Sequence, residues 1–212
     1  MDIILFGRQG SGKGTQGSVL AEKYGLKFFE MGGQLRQIID SGSLLGVKIK
    51  GIVTAGNLVD DDTIMEVVGK FFESTSQDQA ILFDGIPRTV KQSEKLLALL
   101  AEHNRDAFAV LINISEDEAI IRLTQRRICK NCKGVYPPSY KADKCQHCGG
   151  ELVMRQDDNI ESIKTRLANY KNETVPVIEG FSERDHLIEV DGEQPVEKVA
   201  DEMVEKVDYL FT

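Results

Sequence analysis

The amino-acid sequence predicts an α/β fold in which a five-stranded parallel sheet is covered by helices on both faces. Five short apolar segments have the composition of buried strands, and segments with apolar residues at helical spacing separate them. Strands that alternate with helices pair in parallel, because each connection crosses over the sheet. The chain has 212 residues, 41% of them apolar, which is enough for one such core with small inserts.

The first strand leads directly into a glycine-rich turn. Four glycines and a lysine follow the apolar run at residues 3–6, namely Gly7, Gly10, Gly12, Lys13 and Gly14. A helical pattern begins after them. Glycines let successive backbone N–H groups turn toward an anion, and the following helix points its positive end at the same place. The order strand, glycine loop, lysine and helix therefore predicts a phosphate-binding loop. Gly14 stands where such loops usually carry a Ser or Thr for Mg²⁺.

The remaining elements alternate along the chain. Further strands are predicted at residues 26–29, 80–84, 108–114 and 186–190. Helices are predicted to begin near residues 15, 32, 45, 60, 90, 115, 160 and 196. The helix that begins near residue 160 is expected to continue to about residue 181, with a bend at Pro176, because proline cannot donate the helical hydrogen bond.

Two further segments lie at the carboxyl ends of predicted strands, where open α/β sheets bind their ligands. Residues 32–36 follow the second strand, and residues 84–88 follow the third. Asp84 ends the third strand, a position from which its carboxylate can hold Mg²⁺ or the waters around it. We therefore expect the phosphate loop, both segments and a metal-binding carboxylate to share one edge of the sheet.

Arginines at the edges of predicted helices and loops are a second indication of phosphate binding, because a guanidinium group can donate two hydrogen bonds to phosphate oxygens. They are Arg36, Arg88, Arg122, Arg126, Arg155 and Arg166. The helix that begins near Ser115 is predicted to run to about Arg127. Arg122 and Arg126 are four residues apart on it, so we expect them to share one helix face. Convergence of the arginines on one cleft is the expectation that a structure tests.

The overall charge of the chain argues against two classes of binding partner. The net charge is −8 at pH 7 and the pI is about 5.0, which argues against general binding to nucleic acid or to an anionic membrane. No apolar run approaches the roughly 20 residues of a membrane span. The N-terminus enters a strand without the pattern of a signal peptide. We expect a cytoplasmic protein whose thiols stay reduced.

All four cysteines fall in one short stretch, as the pairs Cys129/Cys132 and Cys145/Cys148, each with two residues between its members. Two such knuckles predict a tetrahedral site of four thiolates, typical of structural zinc, although iron or cobalt could also fit. Residues 128–158 have little apolar periodicity, so we expect a bound metal to supply the stability of this insert.

Taken together, these residues resemble the adenylate kinase family of nucleoside-monophosphate kinases, over essentially the whole chain. The matching motifs stand in the family's order and spacing, at residues 7–15, 32–36, 56–59, 84–89, 92, 126–127, 155–158 and 166. The insert with the cysteines resembles the zinc-binding lid of the long bacterial forms. The phosphate loop resembles the nucleoside-monophosphate kinase version, which accounts for Gly14.

The resemblance implies a core with two inserts. The core would comprise residues 1–29, 60–127 and 159–212, with a small helical nucleoside-monophosphate (NMP) domain at residues 30–59 and a small zinc-ribbon-like lid at residues 128–158. The implied reaction moves the terminal phosphoryl group of ATP to AMP and gives two ADP. Mg²⁺ would accompany ATP, and a structural Zn²⁺ would bind in the lid. The resemblance also implies a monomer.

The resemblance further implies roles for individual residues. Those that would bind ATP are Gly10, Ser11, Gly12, Lys13, Gly14, Thr15, Arg122, Arg126, Val135, Tyr136 and Gln194. Those that would bind AMP are Met31, Arg36, Asn57, Leu58, Val59, Gly85, Ile86, Pro87, Arg88, Gln92, Arg155 and Arg166. Those that would act on the transferring phosphoryl group are Lys13, Asp84, Arg88, Arg122, Arg126, Arg155 and Arg166.

Three positions depart from the family's pattern. Met31 and Gly33 stand where threonine and aspartate are usual, and Ile86 stands where phenylalanine is common. The missing hydroxyl and carboxylate lie near the acceptor, so UMP or CMP remains an alternative acceptor, although Gln92 favours adenine. A weakened nucleotide-sensing relative is another hypothesis. The remaining hypothesis is a zinc-ribbon nucleotide switch that binds nucleic acid. The negative net charge and the absence of interleaved aromatic residues argue against this hypothesis.

Overall fold

The computed structural model describes residues 1–155 and 157–211 and confirms the predicted fold class. In chain order its strands are β1 (Asp2–Phe6), β2 (Lys27–Glu30), β3 (Ile81–Asp84), β4 (Ala107–Asn113), β5 (Arg127–Cys129), β6 (Val135–Tyr136), β7 (Leu152–Val153) and β8 (Leu187–Asp191). One parallel sheet contains β2, β3, β1, β4 and β8, in that lateral order. Each of these five strands begins and ends within one residue of its predicted bounds.

Helices connect the strands as the pattern predicts. They are α1 (Lys13–Tyr24), α2 (Met31–Asp40), α3 (Leu44–Thr54), α4 (Asp61–Glu73), α5 (Val90–Glu102), α6 (Glu116–Gln125), α7 (Ile160–Asn169), α8 (Val175–Ser182) and α9 (Val196–Val207). Side-chain caps begin several of them. Asp60 Oδ1 accepts a hydrogen bond from the amide of Thr63 at the start of α4, and Ser115 Oγ accepts one from the amide of Glu118 at the start of α6.

Alternation along the strands divides their side chains between two apolar layers. On one face, Ile4 of β1 packs with Phe29 and Phe83 beneath α4, α5 and α8. On the other face, Ile3 and Leu5 pack with α1 and α9. Because the sheet is buried on both faces, the groups that can meet a ligand lie in the loops at the ends of its strands.

The helix predicted over residues 160–181 is divided into two parts. A five-residue π-helical turn, Tyr170–Thr174, separates α7 from α8 and ends just before Pro176 in the first turn of α8. At the end of this turn, the amide of Val175 donates to the carbonyl of Tyr170, five residues earlier. The interruption therefore begins six residues before Pro176, and the bend at that proline stays a prediction. The backbone widens before the proline, whose ring would clash with the preceding helical turn.

The two predicted inserts differ in construction. The segment predicted as the NMP domain is the helical pair α2 and α3, whose buried residues Met31, Leu35 and Ile49 join the main core. The segment predicted as the lid contains a small antiparallel sheet in the order β6, β5, β7. The domain boundaries themselves stay predictions. Within the described part of the chain, none of the helices combines the length and the apolar content of a membrane span.

Candidate functional site

The predicted phosphate loop occupies the turn between β1 and α1. Gly7 and Gly12 have φ angles of 147° and 95°, which side chains rarely tolerate. A Cβ atom on Gly7 would also lie only 2.5 Å from the carbonyl oxygen of Ile112 on the neighbouring strand β4. The loop can therefore lie tight against the sheet only with glycine at this position.

Lys13 is the first residue of α1, and its side chain folds back into the loop. Its Nζ donates hydrogen bonds to the carbonyl oxygens of Gly7 at 2.7 Å and Arg8 at 3.0 Å. The ammonium group is thus fixed inside the ring of backbone atoms that would surround a phosphate. This is the placement that the sequence predicts for the loop lysine.

The charge of Lys13 is controlled by its surroundings. The pKa of Lys13 is lowered to about 8, chiefly by burial; the carboxylate of Asp84 opposes this change, and the positive charges of Arg88 and Arg126 contribute to it. Residues predicted from two separate motifs, 84–89 and 126–127, are therefore close enough to act on one ammonium group. A bound polyphosphate would restore the preference of Lys13 for the protonated form.

Asp84 lies at the carboxyl end of β3, beside the phosphate loop, as predicted. A Cβ atom on Gly14 would lie 3.9 Å from Asp84 Oδ2, so the carboxylate borders the start of α1. Burial raises the pKa of Asp84, and the ammonium group of Lys13 opposes this. A carboxylate oxygen at this edge is the kind of ligand that Mg²⁺ or its coordinated water prefers.

Glu30 is a site residue that sequence reasoning missed. Its Cα pairs with that of Asp84 in the register of β2 and β3, so both residues end neighbouring strands at the same edge. Its carboxylate accepts a hydrogen bond from Arg36 Nη2 at 2.8 Å. The argument that singled out Asp84, an acidic residue at the end of a buried strand, would also have found Glu30.

The segment after β3 places the acceptor residues around Arg88. Arg88 Nε donates to the carbonyl of Gly85 at 3.0 Å, and burial lowers the pKa of this guanidinium group. Ile86 and Pro87, joined by a cis peptide, are buried beside it. Met31 is only 1% exposed, and its Cβ lies 3.5 Å from the position of a Cβ on Gly85. Met31 therefore forms part of the core beneath this segment.

Gln92 is held by a second unpredicted carboxylate. Its Oε1 accepts from the amide of Arg88 at 2.8 Å, and its Nε2 donates to Asp61 Oδ1 at 2.9 Å. Thr89 Oγ1 also donates to Asp61 Oδ1, at 3.1 Å. The sequence assigned Asp61 only to the start of a helix. The amide of Gln92 still has one N–H and one lone pair available for a base.

Three of the predicted arginines meet at two adjacent aspartates. The fully buried carboxylate of Asp158 accepts from Arg126 Nε at 2.5 Å and from Arg166 Nη2 at 2.8 Å. Arg155 Nε and Nη2 both donate to Asp157, at 3.0 and 2.8 Å. Although burial raises the pKa of Asp157, Arg155 and Arg166 hold it below its ordinary value. This network joins the end of the lid segment to the core.

Arg122 and Arg126 do not share a helix face, and that expectation is wrong. Helix α6 ends at Gln125, and Arg126 has extended backbone angles of −69° and 147°. Arg122 Nε donates to Glu118 at 2.6 Å, and its Nη2 donates to the carbonyl of Gly192 at 2.9 Å. Arg122 therefore lies toward the loop after β8, whereas Arg126 turns to the buried aspartate.

The remaining predicted nucleotide residues lie in three separate segments, two loops and the strand β6. Gln194 follows β8, beside the anchor of Arg122 at Gly192. Residues 57–59 follow α3, where Asn169 Nδ2 donates to the carbonyl of Gly56 at 3.2 Å. Val135, 54% exposed, lies in the lid segment.

The four cysteines converge as the two knuckles predict. Their sulfur atoms all lie within 4.8 Å of one another, and the separations Cys129–Cys148 and Cys132–Cys145 are both 3.5 Å. A tetrahedron of sulfurs around Zn²⁺ at about 2.3 Å has sulfur atoms roughly 3.8 Å apart. The four thiols therefore fit a closed zinc site with no position left for catalysis.

Tyr136 belongs to the packing of this metal site. Its hydroxyl group lies 2.9 Å from Cys145 Sγ and accepts a hydrogen bond from the amide of Gln146 at 3.0 Å. Its side chain is 3% exposed and packs with the buried residues Cys129 and Leu152. Its predicted approach to ATP would therefore have to use its backbone.

The phosphate loop, the carboxylate at the end of β3 and the surrounding arginines define the chain as a phosphotransferase of the P-loop class. The sequence model of the adenylate kinase family matches residues 5–186. An adenylate kinase of Geobacillus sp. is 38% identical over 205 residues, 94% of both chains, and one of Archaeoglobus fulgidus is 36% identical over 204 residues, again 94% of both. One of Desulfitobacterium hafniense is 35% identical over 215 residues, 99% of both chains. The chain belongs to the adenylate kinase family.

Proposed function

We propose that this enzyme transfers the terminal phosphoryl group of ATP to AMP and forms two ADP. One observation carries the proposal: the Nζ of Lys13 is bonded to the carbonyls of Gly7 and Arg8 in the glycine loop after β1, and Asp84 ends the paired strand β3 beside that loop. Phosphoryl transfer requires positioning and charge neutralisation more than a covalent intermediate. A lysine and several arginines around one cleft are suited to that requirement.

The donor half of the site would be the phosphate loop. The backbone N–H groups of residues 10–15 and the positive end of α1 would hold the phosphates of ATP. Lys13 would release its bonds to the carbonyls of Gly7 and Arg8 and follow the transferred group. Arg122, Arg126, Val135, Tyr136 and Gln194 would complete the contacts to ATP.

The acceptor half would be built around Arg88 and Arg36. Their guanidinium groups would hold the phosphate of AMP, with Arg155 and Arg166 neutralising the charge on the phosphoryl group in transit. Gln92 would donate to and accept from the adenine edge, in the orientation that Asp61 and the amide of Arg88 give it. Other residues would line this pocket, namely Met31, Asn57, Leu58, Val59, Gly85, Ile86 and Pro87.

Two metals have separate roles in this proposal. Mg²⁺ bound with ATP would neutralise phosphate charge, and Asp84 would hold it or its waters. Asp84 would take a larger share of Mg²⁺ binding, because Gly14 has no hydroxyl group to coordinate the ion. Zn²⁺ would bind Cys129, Cys132, Cys145 and Cys148 and maintain the lid structure. We propose a cytoplasmic monomer as the working form.

Closure of both inserts would exclude water from the transfer. A phosphoryl group held open to solvent would be lost to hydrolysis, so residues 30–59 and 128–158 would close over the two nucleotides. The bonds of Arg126 and Arg166 to Asp158 stand where the lid segment rejoins the core. Nucleotide phosphates would compete with this carboxylate for both arginines as the lid closes.

A coupled assay of ADP formation from Mg-ATP tests the proposal, with AMP, UMP and CMP offered separately at equal concentrations. We expect AMP to give the highest kcat/KM and EDTA to abolish the reaction. A preference for UMP or CMP would assign the acceptor site to a pyrimidine nucleotide. ATP binding without ADP formation from any of the three would contradict phosphotransferase function.

A further inference from the structure

An ion pair lies across the first turn of α2, at the proposed acceptor site. Glu30 ends β2, and Arg36 lies six residues later on the helix that follows. Arg36 Nη2 and Glu30 Oε1 are 2.8 Å apart, and the two side chains are 39% and 44% exposed. The pair is therefore accessible to a ligand that enters from solvent.

The two glycines below this ion pair leave room for it. A Cβ atom on Gly32 would lie 3.0 Å from Arg36 Nη1, and one on Gly33 would lie 2.9 Å from Glu30 Oε2. Any side chain at these positions would therefore press on the charged groups. The ion pair can take this geometry because residues 32 and 33 have no side chains.

Glu30 also acts on charges beyond Arg36. Its negative charge raises the pKa of both Lys13 and Asp84, which places it within electrostatic reach of the phosphate loop and the end of β3. An anionic group is thus built into a region that otherwise attracts phosphates.

We propose that Glu30 sets the affinity of the acceptor site by competing with the phosphate of the incoming monophosphate for the guanidinium group of Arg36. The proposal rests on the proposed function, which assigns that phosphate to Arg36. Binding would exchange one anionic partner of Arg36 for another and leave the displaced carboxylate near a second negative charge. Glu30 would therefore weaken monophosphate binding and favour release of the nucleotide.

The test is calorimetric titration of AMP, without ATP, into the wild-type chain and the variant Glu30→Gln. The amide keeps the size of the side chain and removes its charge. We expect the dissociation constant for AMP to fall about two- to fivefold, the effect of roughly 0.5–1 kcal/mol between exposed charges. Adenosine, which carries no phosphate, should bind both proteins equally.

Glu66→Gln is the matched control, because it removes the same charge from an exposed ion pair with Lys70 on α4. Weaker AMP binding by Glu30→Gln would show that Glu30 orients Arg36, and it would overturn the proposal. An unchanged dissociation constant for AMP would show that the ion pair has no effect on binding, and it would overturn the proposal too. An equal change for adenosine would indicate a structural effect and overturn it as well. If the wild-type chain forms ADP from ATP and AMP, such a failure leaves the proposed function standing. The proposed function itself fails if AMP yields no ADP.

Discussion

In the cleft, Lys13 and Asp84 project from a helix and a strand whose apolar faces are buried in the core, and Arg88 projects from the short loop after that strand. In the lid segment, the four cysteines project from short strands and turns. The apolar cluster of the lid segment consists of Cys129, Tyr136, Cys145 and Leu152, with Tyr140 packed against it, and two of its members belong to the proposed zinc site. In our proposal the same chain therefore positions one set of functional groups by hydrophobic packing and the other by a metal.

This difference suggests that the two regions can be disrupted separately. A buried sheet holds its loops in place without a ligand, so changes in the charged cleft should alter binding and rate but not folding. A segment with so small an apolar cluster depends on metal coordination for its structure, so loss of the metal should unfold it locally. The following predictions test that separation, from the largest expected effect to the smallest.

Removal of zinc should have the largest effect and should be confined to the lid. Structural zinc contributes about 10–16 kcal/mol of apparent binding energy in small metal-dependent domains, and the lid has little apolar packing to replace it. We expect metal analysis to find one Zn²⁺ per chain, and chelation to lower the thermal midpoint. Amide hydrogen exchange should rise over residues 129–152 and stay slow in β1 and β3. A melting point unaffected by chelation would refute the structural role of zinc.

Lys13→Met should disrupt the cleft and leave the lid intact. Loss of one preorganised charged donor to the transferring group should lower kcat by about 10²–10³-fold. The zinc content and the thermal midpoint should match those of the wild type. Lys23→Met, an exposed change on the same helix, is the control and should retain wild-type turnover. A comparable loss in both variants would remove the special role given to Lys13.

Asp158→Asn tests the ion-pair network that connects the lid segment to the core. The buried carboxylate holds both Arg126 and Arg166, so neutralising it removes the charged partner of Arg126 and leaves Arg166 with its longer ion pair, of 3.6 Å, to Asp157. We expect denaturant titration to give an unfolding free energy lower by about 3 kcal/mol. Asp143→Asn, which alters a 99% exposed carboxylate paired with Arg127, should change it by less than about 1 kcal/mol. Equal values for the two variants would show that the buried network is not a structural joint.

The pH dependence of the reaction should report the cleft alone. The pKa of Lys13 is lowered to about 8 in the empty site, so the ammonium form is present below that pH and is lost above it. The kcat/KM for ATP, which reflects the free enzyme, should fall about tenfold per pH unit well above pH 8. The kcat should fall less, because bound phosphates favour the protonated lysine. A kcat/KM that stays level to pH 10 would contradict this assignment.

Local patterns in the sequence were sufficient for the sheet, the glycine loop after β1 and the convergence of the four cysteines. Apolar runs, glycines before a lysine and paired cysteines each carry their meaning within a few residues. The position of Arg126 could not be predicted in this way. It leaves the helix to meet Asp158, 32 residues later in the chain, and that contact depends on tertiary packing.

Two carboxylates of the cleft, Glu30 and Asp61, were not selected from the sequence, although Asp84 was. Asp61 looks like a helix-starting residue, yet it also holds Gln92, 31 residues away. Glu30 pairs with Arg36 because the intervening glycines leave space, a relation that only the geometry reveals. Acidic residues are common on the surface of a chain with a charge of −8, so composition gave no reason to select these.

The central claim is phosphoryl transfer between two nucleotides, and ³¹P NMR of ATP and AMP with Mg²⁺ and the enzyme tests it most directly. The account predicts that two ADP form for each ATP consumed, that the reaction requires AMP, and that inorganic phosphate does not accumulate. Formation of inorganic phosphate as the main product, or ADP formation independent of AMP, would contradict it.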